Sequence, residues 1–423
     1  MLKFLFKGLL RDRSRSLLPV IVVTLGVMIT VFMQAYMDGV LGESTEKTAA
    51  FNSGHVRVET KAYADNLSQM PNDLALMGAD TLKNDLEKSF PELNWTERID
   101  FGGLLDVPDE NGQTCVQGNV IGKGIHLLNS DEEINRMELK TLLVKGRFPE
   151  KQGEILLSDE LFDKMKLRLD DEVTLISVTM FGEMAMYNFH VAGTLHFGVN
   201  VLDKGMMIAD ITDVQQALNM KNAAGQILGF FKTNVYNNKK AHEIAQKFNL
   251  RYAGNESEFA PVMATLSDDG LMGMSFSLME NISNIVILVF IIAMSIVLWN
   301  AGLISGLRRY GEFGLRLAIG ENKNEVYKSL LWEAVLIGIV GSVIGTILGL
   351  FVAWLMQTYG IDVSSMMKDS NMMISNVIRA KISARTFYIG FIPGLLATII
   401  GAMLAGIGVY KRQTANLFKE LEN

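Results

Sequence analysis

The 423-residue sequence lacks the patterns on which most enzymes and metal sites depend. Its single cysteine, Cys115, excludes an intramolecular disulfide and a thiolate metal site. Its five histidines include no pair at i and i+4, and the chain has neither a G-x-x-x-x-G-K-[ST] loop nor a G-x-S-x-G elbow. We therefore predict no catalytic site, no metal and no bound cofactor on this chain, and no nucleotide hydrolysis by it alone.

Charge is missing from four long stretches of 22 to 28 residues: Ser16–Met37, Asn281–Leu307, Ala334–Ile361 and Thr386–Tyr410. A spanning helix needs about 20 predominantly apolar residues. The sequence therefore predicts a membrane α-helical protein with four transmembrane helices. This excludes a soluble enzyme and a secreted binding domain.

The remaining charge is divided unevenly along the chain. Residues 41–280 contain 22 basic and 36 acidic residues, a net charge of −14, whereas the other residues carry +7. The basic residues lie beside spans, which gives no indication of nucleic-acid binding. Five precede the first span: Lys3, Lys7, Arg11, Arg13 and Arg15. Since positive flanks stay inside, we expect both termini in the cytoplasm and the acidic insert outside it.

These observations predict the order of segments along the chain. It is an amphipathic cytoplasmic helix (1–15), a first span (16–40), an extracytoplasmic α+β domain with helical stalk ends (41–280), a second span (281–303), a cytoplasmic segment (304–328), a third span (329–356), an outer loop (357–386), a fourth span (387–410) and a cytoplasmic tail (411–423).

The large insert is predicted to be an α+β domain with two lobes. Residue periodicity predicts strands at His55–Glu59 and Tyr187–Val191, a helix at Ala79–Phe90, and a helix at Lys239–Leu250 capped by Asn238. The two ends of the insert, Met33–Phe51 and Pro261–Glu280, are interpreted as extended helices that form a stalk.

Small residues recur at spacings of three and four in the last two predicted spans, which indicates close helix packing in lipid. The predicted packing residues are Gly341, Gly345, Gly349, Gly394 and Gly401. We predict that spans three and four pack as a pair behind a mobile pair of spans one and two. The alternative is that membrane helices are simply rich in glycine.

Methionine is abundant, with 25 residues, and several lie near the outer ends of spans. The possible substrate-facing residues are Met33, Met272, Met274 and Met279. Flexible, polarizable side chains suit a pliable apolar mouth for a lipid-like or peptide substrate. Ordinary packing at the membrane interface is the other interpretation.

Three groups of residues carry a resemblance to a known family. The segment Arg308–Gly320 is similar to the R-x-x-E-[IF]-G-x-[LR]-[RL]-A-[LI]-G signature of FtsX/MacB-type ABC transporter permeases. The runs Gly146–Pro149, Gly153–Leu157 and Leu167–Asp171 resemble that family's outer-domain motifs, with Asp170 where the family has glycine. The stretch from Gly193 to Leu218 looks most like the LolC/LolE lipoprotein-releasing branch.

The resemblance implies a permease subunit in the inner membrane that works with a separate cytoplasmic ATPase, which would hold the ATP and magnesium, and with a second permease, identical or paralogous. It also implies ATPase coupling through Arg308, Arg309, Glu312, Phe313, Leu315, Arg316 and Gly320. Spacing places Arg309, Glu312, Phe313 and Arg316 on one helix face. Anchoring of the arginines to anionic headgroups is the alternative.

The implied function is lipoprotein release from the inner membrane, driven by mechanical transmission of ATPase motion to the outer domain, with lipid and possibly a lipoprotein and a periplasmic acceptor as partners. Two alternatives remain open. One is export of a peptide, antibiotic or haem-like amphipathic substrate. The other is an FtsX-like regulator of a cell-wall hydrolase that transports nothing.

Overall fold

The computed structural model describes residues 13–108, 114–128, 130–268, 270–307, 310–362 and 377–411. The described chain divides into two compact units. The membrane unit holds the residues up to Leu41, then Leu278–Asp362 and those from Val377 onward, and the second unit, which we call the outer domain after its predicted location, holds Gly42–Ser277. Most of the predicted N-terminal helix and C-terminal tail, and the middle of the predicted outer loop, lie outside the described residues.

The α-helices are α1 (Arg13–Thr48), α2 (Lys61–Asp65), α3 (Ala79–Ser89), α4 (Asp131–Arg136), α5 (Leu139–Leu142), α6 (Asp159–Lys164), α7 (Asn200–Asp203), α8 (Ile211–Ala217), α9 (Asn238–Tyr252), α10 (Gly270–Leu307), α11 (Tyr310–Ala318), α12 (Lys323–Tyr359) and α13 (Thr398–Lys411). The strands are β1 (Val56–Thr60), β2 (Leu76–Met77), β3 (Leu93–Pro108), β4 (Thr114–Ile125), β5 (Leu143–Gly146), β6 (Glu154–Ser158), β7 (Glu172–Val178), β8 (Met184–Leu195), β9 (Met206–Asp210), β10 (Ala223–Ala224), β11 (Gln226–Phe231), β12 (Pro261–Thr265), β13 (Ile361–Asp362) and β14 (Val377–Ile378). The π-helical turns are Ala49–Ser53, after α1, and Ile392–Ala397, before α13.

Three helical stretches among the described residues are long and apolar enough to cross a membrane: Leu17–Ser53, Lys323–Tyr359 and Ala384–Ile407. They coincide with the first, third and fourth predicted spans. The second predicted span lies on α10, of which Asn284–Val297 is an apolar but shorter described stretch. The large α+β domain and the apolar helices are therefore present, whereas the count of four spans stays a prediction.

One part of the outer domain, which we call the sheet lobe, is an antiparallel sheet in the order β12-β1-β11-β3. Helices α3 and α9 pack on it, because Leu86 and Phe248 are buried in one core with Val58 and Ile227 of the sheet. The predicted cap of α9 is wrong by one residue: the Asn237 side chain accepts the Lys240 N–H and caps the helix.

The predicted stalk helix at Pro261–Glu280 is also wrong over its first part, because Pro261–Thr265 forms edge strand β12. Proline is tolerated at the first residue of an edge strand, where its missing N–H breaks no ladder bond. The Asn249 side chain of α9 closes the outer edge of β12 by accepting the Met263 N–H at 2.8 Å and donating to its carbonyl at 2.9 Å.

The second part of the outer domain, the barrel lobe, is a ring of six strands. In the order β3, β4, β9, β6, β8 and β7 each strand pairs with the next, and β7 pairs with β3 to close the ring. Alternate residues point inward, so Phe101, Leu157 and Phe189 are buried in one core. The 16-residue strand β3 belongs to both lobes.

The family-like outer-domain motifs build this lobe. Arg147 donates two hydrogen bonds to the Glu154 carboxylate, at 2.7 and 2.6 Å, and these bonds lower the pKa of Glu154 to about 2. A Cβ at Gly146, which has a φ of +77°, would lie 2.2 Å from the Ala192 carbonyl. Asp170 has a φ of +65°, a conformation that aspartate tolerates better than most residues. The motifs thus specify backbone geometry.

Candidate functional site

The short helix α11 carries the family-like signature and packs on the start of α12. Its Leu317 side chain packs against a cluster of Val326, Leu330 and Ala402, and Gly314 is buried. On the other side, Leu315 is 52% exposed, and Ile319, which directly follows α11 and donates its N–H to the Leu315 carbonyl, is 78% exposed. Residues four apart share a helix face. We call these two side chains the α11 face.

A glycine turn fixes the angle at which α11 gives way to α12. Gly320 has a φ of +99°, which an L side chain rarely adopts. Its N–H donates to the Leu317 carbonyl, and the Glu321 N–H donates to the Arg316 carbonyl at 3.0 Å. This pair of bonds is the Schellman motif, which satisfies carbonyls left open at a helix end.

Arg316 reinforces the same turn. Its guanidinium donates two hydrogen bonds to the Glu321 carboxylate, at 2.7 and 2.8 Å, and a third to the Ser329 hydroxyl of α12 at 3.1 Å. These bonds occupy the side chain that the sequence placed on a docking face. Arg316 therefore orders the helix pair, and the α11 face lies on the side of Leu315.

The structure describes the other predicted coupling residues only in part. Glu312 and Phe313 lie on α11, but only their backbone is described. Arg308 and Arg309 lie outside the described residues. By helical spacing Glu312 lies on the same side as Leu315 and Ile319. The coupling roles of all these residues remain predictions.

The predicted packing glycines of α12 meet α1. A Cβ at Gly341, Gly345 or Gly349 would lie within 2.6 to 2.8 Å of Val23, of Thr24 and Val27, or of Val31, respectively. Valines and glycines both recur every four residues, so the ridge of one helix fits the groove of the other. Gly394 meets Ser342, between the third and fourth spans, and Gly401 is buried. The predicted packing of spans three and four is therefore confirmed at Gly394, whereas Gly341, Gly345 and Gly349 pack against span one, which the sequence analysis had predicted to be mobile.

A polar contact that the sequence did not indicate lies at the C-terminal end of the first predicted span. The Asp38 carboxylate accepts from Gln34 at 2.8 Å and from Ser383 at 2.6 Å. The Lys381 N–H donates to the Ala35 carbonyl, and Gly39 lies against the Arg379 carbonyl. The contacts of Asp38 with Ser383 and of Ala35 with Lys381 join positions more than 300 residues apart, so local patterns cannot reveal them.

Of the predicted substrate-facing methionines, the structure describes the side chain of one. Met33 is half-buried on α1. Met272, Met274 and Met279 lie on α10, where only the backbone is described. In the described part of the chain, no group of three or more His, Cys, Asp and Glu side chains is placed to hold a metal ion.

An apolar tip on the barrel lobe is a second candidate surface that sequence reasoning missed. Val178, Phe181, Met184 and Met186 lie at the β7–β8 hairpin and are 58% to 76% exposed. The turn is ordered by the Thr179 N–H, which donates to the Glu183 carbonyl at 2.7 Å, and by Met180, whose N–H donates to the Leu218 carbonyl. Exposed clustered apolar side chains mark interaction sites. The available signal was a run of large apolar residues around the turn glycine, Gly182.

Comparisons with known proteins agree with the position of the signature. Residues 284–414 match the family described as FtsX-like permease C-terminal. The chain is 21% identical over 244 residues to the lipoprotein-releasing system transmembrane protein LolC of Haemophilus influenzae, covering 55% of this chain and 56% of that protein. The chain thus spans about half the length of this curated relative. The periplasmic region of MacB from Actinobacillus actinomycetemcomitans aligns with a TM-score of 0.34 and 12% identity, over 50% of this chain and 89% of that one.

Proposed function

We propose a function from the premise that this chain is similar to FtsX/MacB-type ABC permeases and carries their C-terminal domain in residues 284–414. It is the membrane subunit of an ABC transporter, and its activity depends on a separate cytoplasmic ATPase. ATP-driven closure of that ATPase moves α11 and the spans, and the movement reaches the outer domain. The chain itself performs no chemistry.

The α11 face is the observation that carries this proposal. It presents an exposed leucine of α11 and the exposed isoleucine that directly follows this helix, and the position of both is fixed by Gly320 and by the bonds of Arg316. A preordered apolar surface binds a partner without the cost of ordering a loop. Because the turn is tied to Ser329 of α12, force on α11 passes directly into a membrane helix.

Replacing Leu315 and Ile319 together by alanine should weaken binding of the ATPase by about 30- to 1000-fold. This corresponds to roughly 2–4 kcal/mol, the range for truncating central interface residues. The affinity can be measured with the purified chain in nanodiscs and its ATPase subunit. The fold should survive, because both side chains are exposed.

The matched control replaces Ile344 and Leu348 by alanine. These residues are also an exposed isoleucine and leucine four apart, but they lie within the apolar length of α12. ATPase affinity should be unchanged in this variant. Equal affinity of the Leu315/Ile319 variant and the original chain would show that α11 is not the docking helix.

We further propose that the substrate is a lipoprotein released from the inner membrane. The support is the similarity to LolC, whose name describes a lipoprotein-releasing system, and the apolar tip of the barrel lobe, which suits a partner that handles acyl chains. The partner that handles acyl chains is a periplasmic acceptor.

In this proposal, both termini lie in the cytoplasm, and the complex contains a second permease. Export of an amphipathic peptide, antibiotic or haem-like molecule is the second candidate, since the same apolar tip also suits such a cargo.

Replacing Phe181 and Met184 by serine should lower retention of a periplasmic acceptor by about 30-fold or more, as expected when two central apolar anchors are lost. Copurification from cells with the acceptor at fixed concentration measures the effect. Met77→Ser is the control, because Met77 is also exposed, at 61%, but lies on β2, in the two-stranded β2–β10 sheet. If the double variant retains the acceptor as well as the original chain does, the tip is not part of the acceptor site.

A further inference from the structure

The C-terminal end of α1 is held to the sheet lobe by a polar network inside the outer domain. The Glu46 carboxylate accepts from His55 Nε2 at 2.9 Å with one oxygen and from the Tyr236 backbone N–H at 2.6 Å with the other. One carboxylate oxygen is thus bound by the residue that immediately precedes strand β1, and the other by the chain after β11. One side chain of the helix therefore connects two separate parts of the lobe.

The tautomer of His55 follows from its hydrogen bonds. Its ring is buried, and Nδ1 accepts the Phe231 N–H at 2.9 Å, so Nδ1 carries no proton in this arrangement. The proton must then lie on Nε2, where it is donated to Glu46. The aromatic rings of Phe230, Phe231 and Tyr236 surround the imidazole at 5.4 to 5.6 Å between centroids. The imidazole is therefore held in one orientation and one tautomer.

A second set of hydrogen bonds holds the π-helical turn that follows α1. Arg98 of β3 is 1% exposed and donates to the Phe51 carbonyl at 3.1 Å. The same guanidinium donates to the Glu133 carboxylate at 2.9 and 2.6 Å. Carbonyls at a helix end need an external donor, and a buried guanidinium needs a counter-charge. Both requirements are met by the same arginine.

We propose that Glu46, His55 and Arg98 are positioning residues that form a rigid joint, so that the end of α1 and the sheet lobe move as one body. We call them the α1 joint. Because β1, β11 and β3 all contribute, a displacement of α1 is distributed over three strands and is not absorbed at the turn around Gly54. This inference rests on the proposed function, in which movement started at the ATPase must reach the outer domain.

Hydrogen exchange tests the joint on the full chain in nanodiscs, without an ATPase. In Glu46→Ala, the amides of Ala49–Ser53 and of Tyr236 should exchange about 10- to 100-fold faster, as expected when a charge-assisted hydrogen bond is lost. Glu46→Gln retains one acceptor oxygen and should show a smaller acceleration. Glu43→Ala, one turn earlier on α1, is the control and should leave these amides unchanged.

The coupling ratio tests what the joint does. In proteoliposomes with the ATPase and a fluorescent lipid-modified protein, Glu46→Ala should hydrolyse ATP at the original rate but release at least tenfold less substrate per ATP, with partial rescue by Glu46→Gln. Unchanged exchange, or faster exchange with an unaltered coupling ratio, would overturn the joint. Failure of the original chain to bind any ATPase would instead overturn the proposed function, and with it the transmitting role.

Discussion

Replacing Glu133 by alanine should lower the free energy of unfolding of the outer domain by about 3–5 kcal/mol, the cost of leaving buried charge uncompensated. Glu133 is buried and is paired with Arg98 and Arg136. Without the carboxylate, two guanidinium groups would face each other beside the Phe230 ring. Burial already lowers the pKa of Arg136. Pulse proteolysis of the whole chain in increasing urea measures the change.

Two variants show whether the charge itself is responsible. Glu132→Ala removes an exposed carboxylate from the same helix and should change stability by less than about 0.5 kcal/mol. Adding Arg98→Met to Glu133→Ala removes one of the two guanidinium charges left without a counter-charge. It should recover part of the lost free energy of unfolding. If the double variant is less stable than Glu133→Ala, then packing around Arg98 outweighs its electrostatic role.

Replacing Gly345 by leucine should separate α1 from α12 and destabilise the membrane unit by about 1–3 kcal/mol or more, as for overpacked interiors. A Cβ at this position would lie 2.6 Å from the backbone carbonyl of Thr24, which cannot rotate away, and 2.8 Å from Val27. Unfolding of the full chain in mixed micelles with rising SDS measures the loss. The effect should be large because lipid offers no hydrophobic compensation for lost helix contact.

The neighbouring substitution Ile344→Leu provides the comparison. Ile344 is partly exposed on α12, so a leucine there meets no backbone. Its unfolding curve should match that of the original chain. If Gly345→Leu unfolds at the same SDS fraction, the approach of α1 to the glycine face contributes little to the stability of the membrane unit.

Regular elements were predictable from sequence where the pattern is local. The helix expected at Ala79–Phe90 is α3, and the strand expected at His55–Glu59 lies within one residue of β1. Strand β12 was missed because its conformation is set by pairing with β1, some 200 residues away, and because a long apolar helix follows it. The closed ring depends on the order of six strands, which alternation within one strand does not encode.

The candidate site likewise has one part that was predictable from local sequence and one part that was not. The signature located α11, since glycine and charged residues in a fixed order are visible in the sequence. Its exposed side was not predictable, because Val326 and Leu330, beyond the Gly320 turn, decide which residues of α11 are covered. The partner of Arg316 is likewise selected by that turn, which brings Glu321 next to it. The three residues of the α1 joint and Tyr236, whose N–H binds Glu46, lie too far apart in the sequence for any short window to contain them.

The participation of β3 in both lobes has a consequence for the order of folding. All six strands of the ring lie between residues 93 and 210, whereas β1 and β12 of the sheet lobe come from opposite ends of the domain. Contacts between distant residues form later, since closing a longer loop costs more entropy. The ring can therefore close first, and β3 is then already folded when β11 of the sheet lobe pairs with it. The sheet lobe, with the attachment of the first membrane helix, is completed only when the chain as far as β12 has been made.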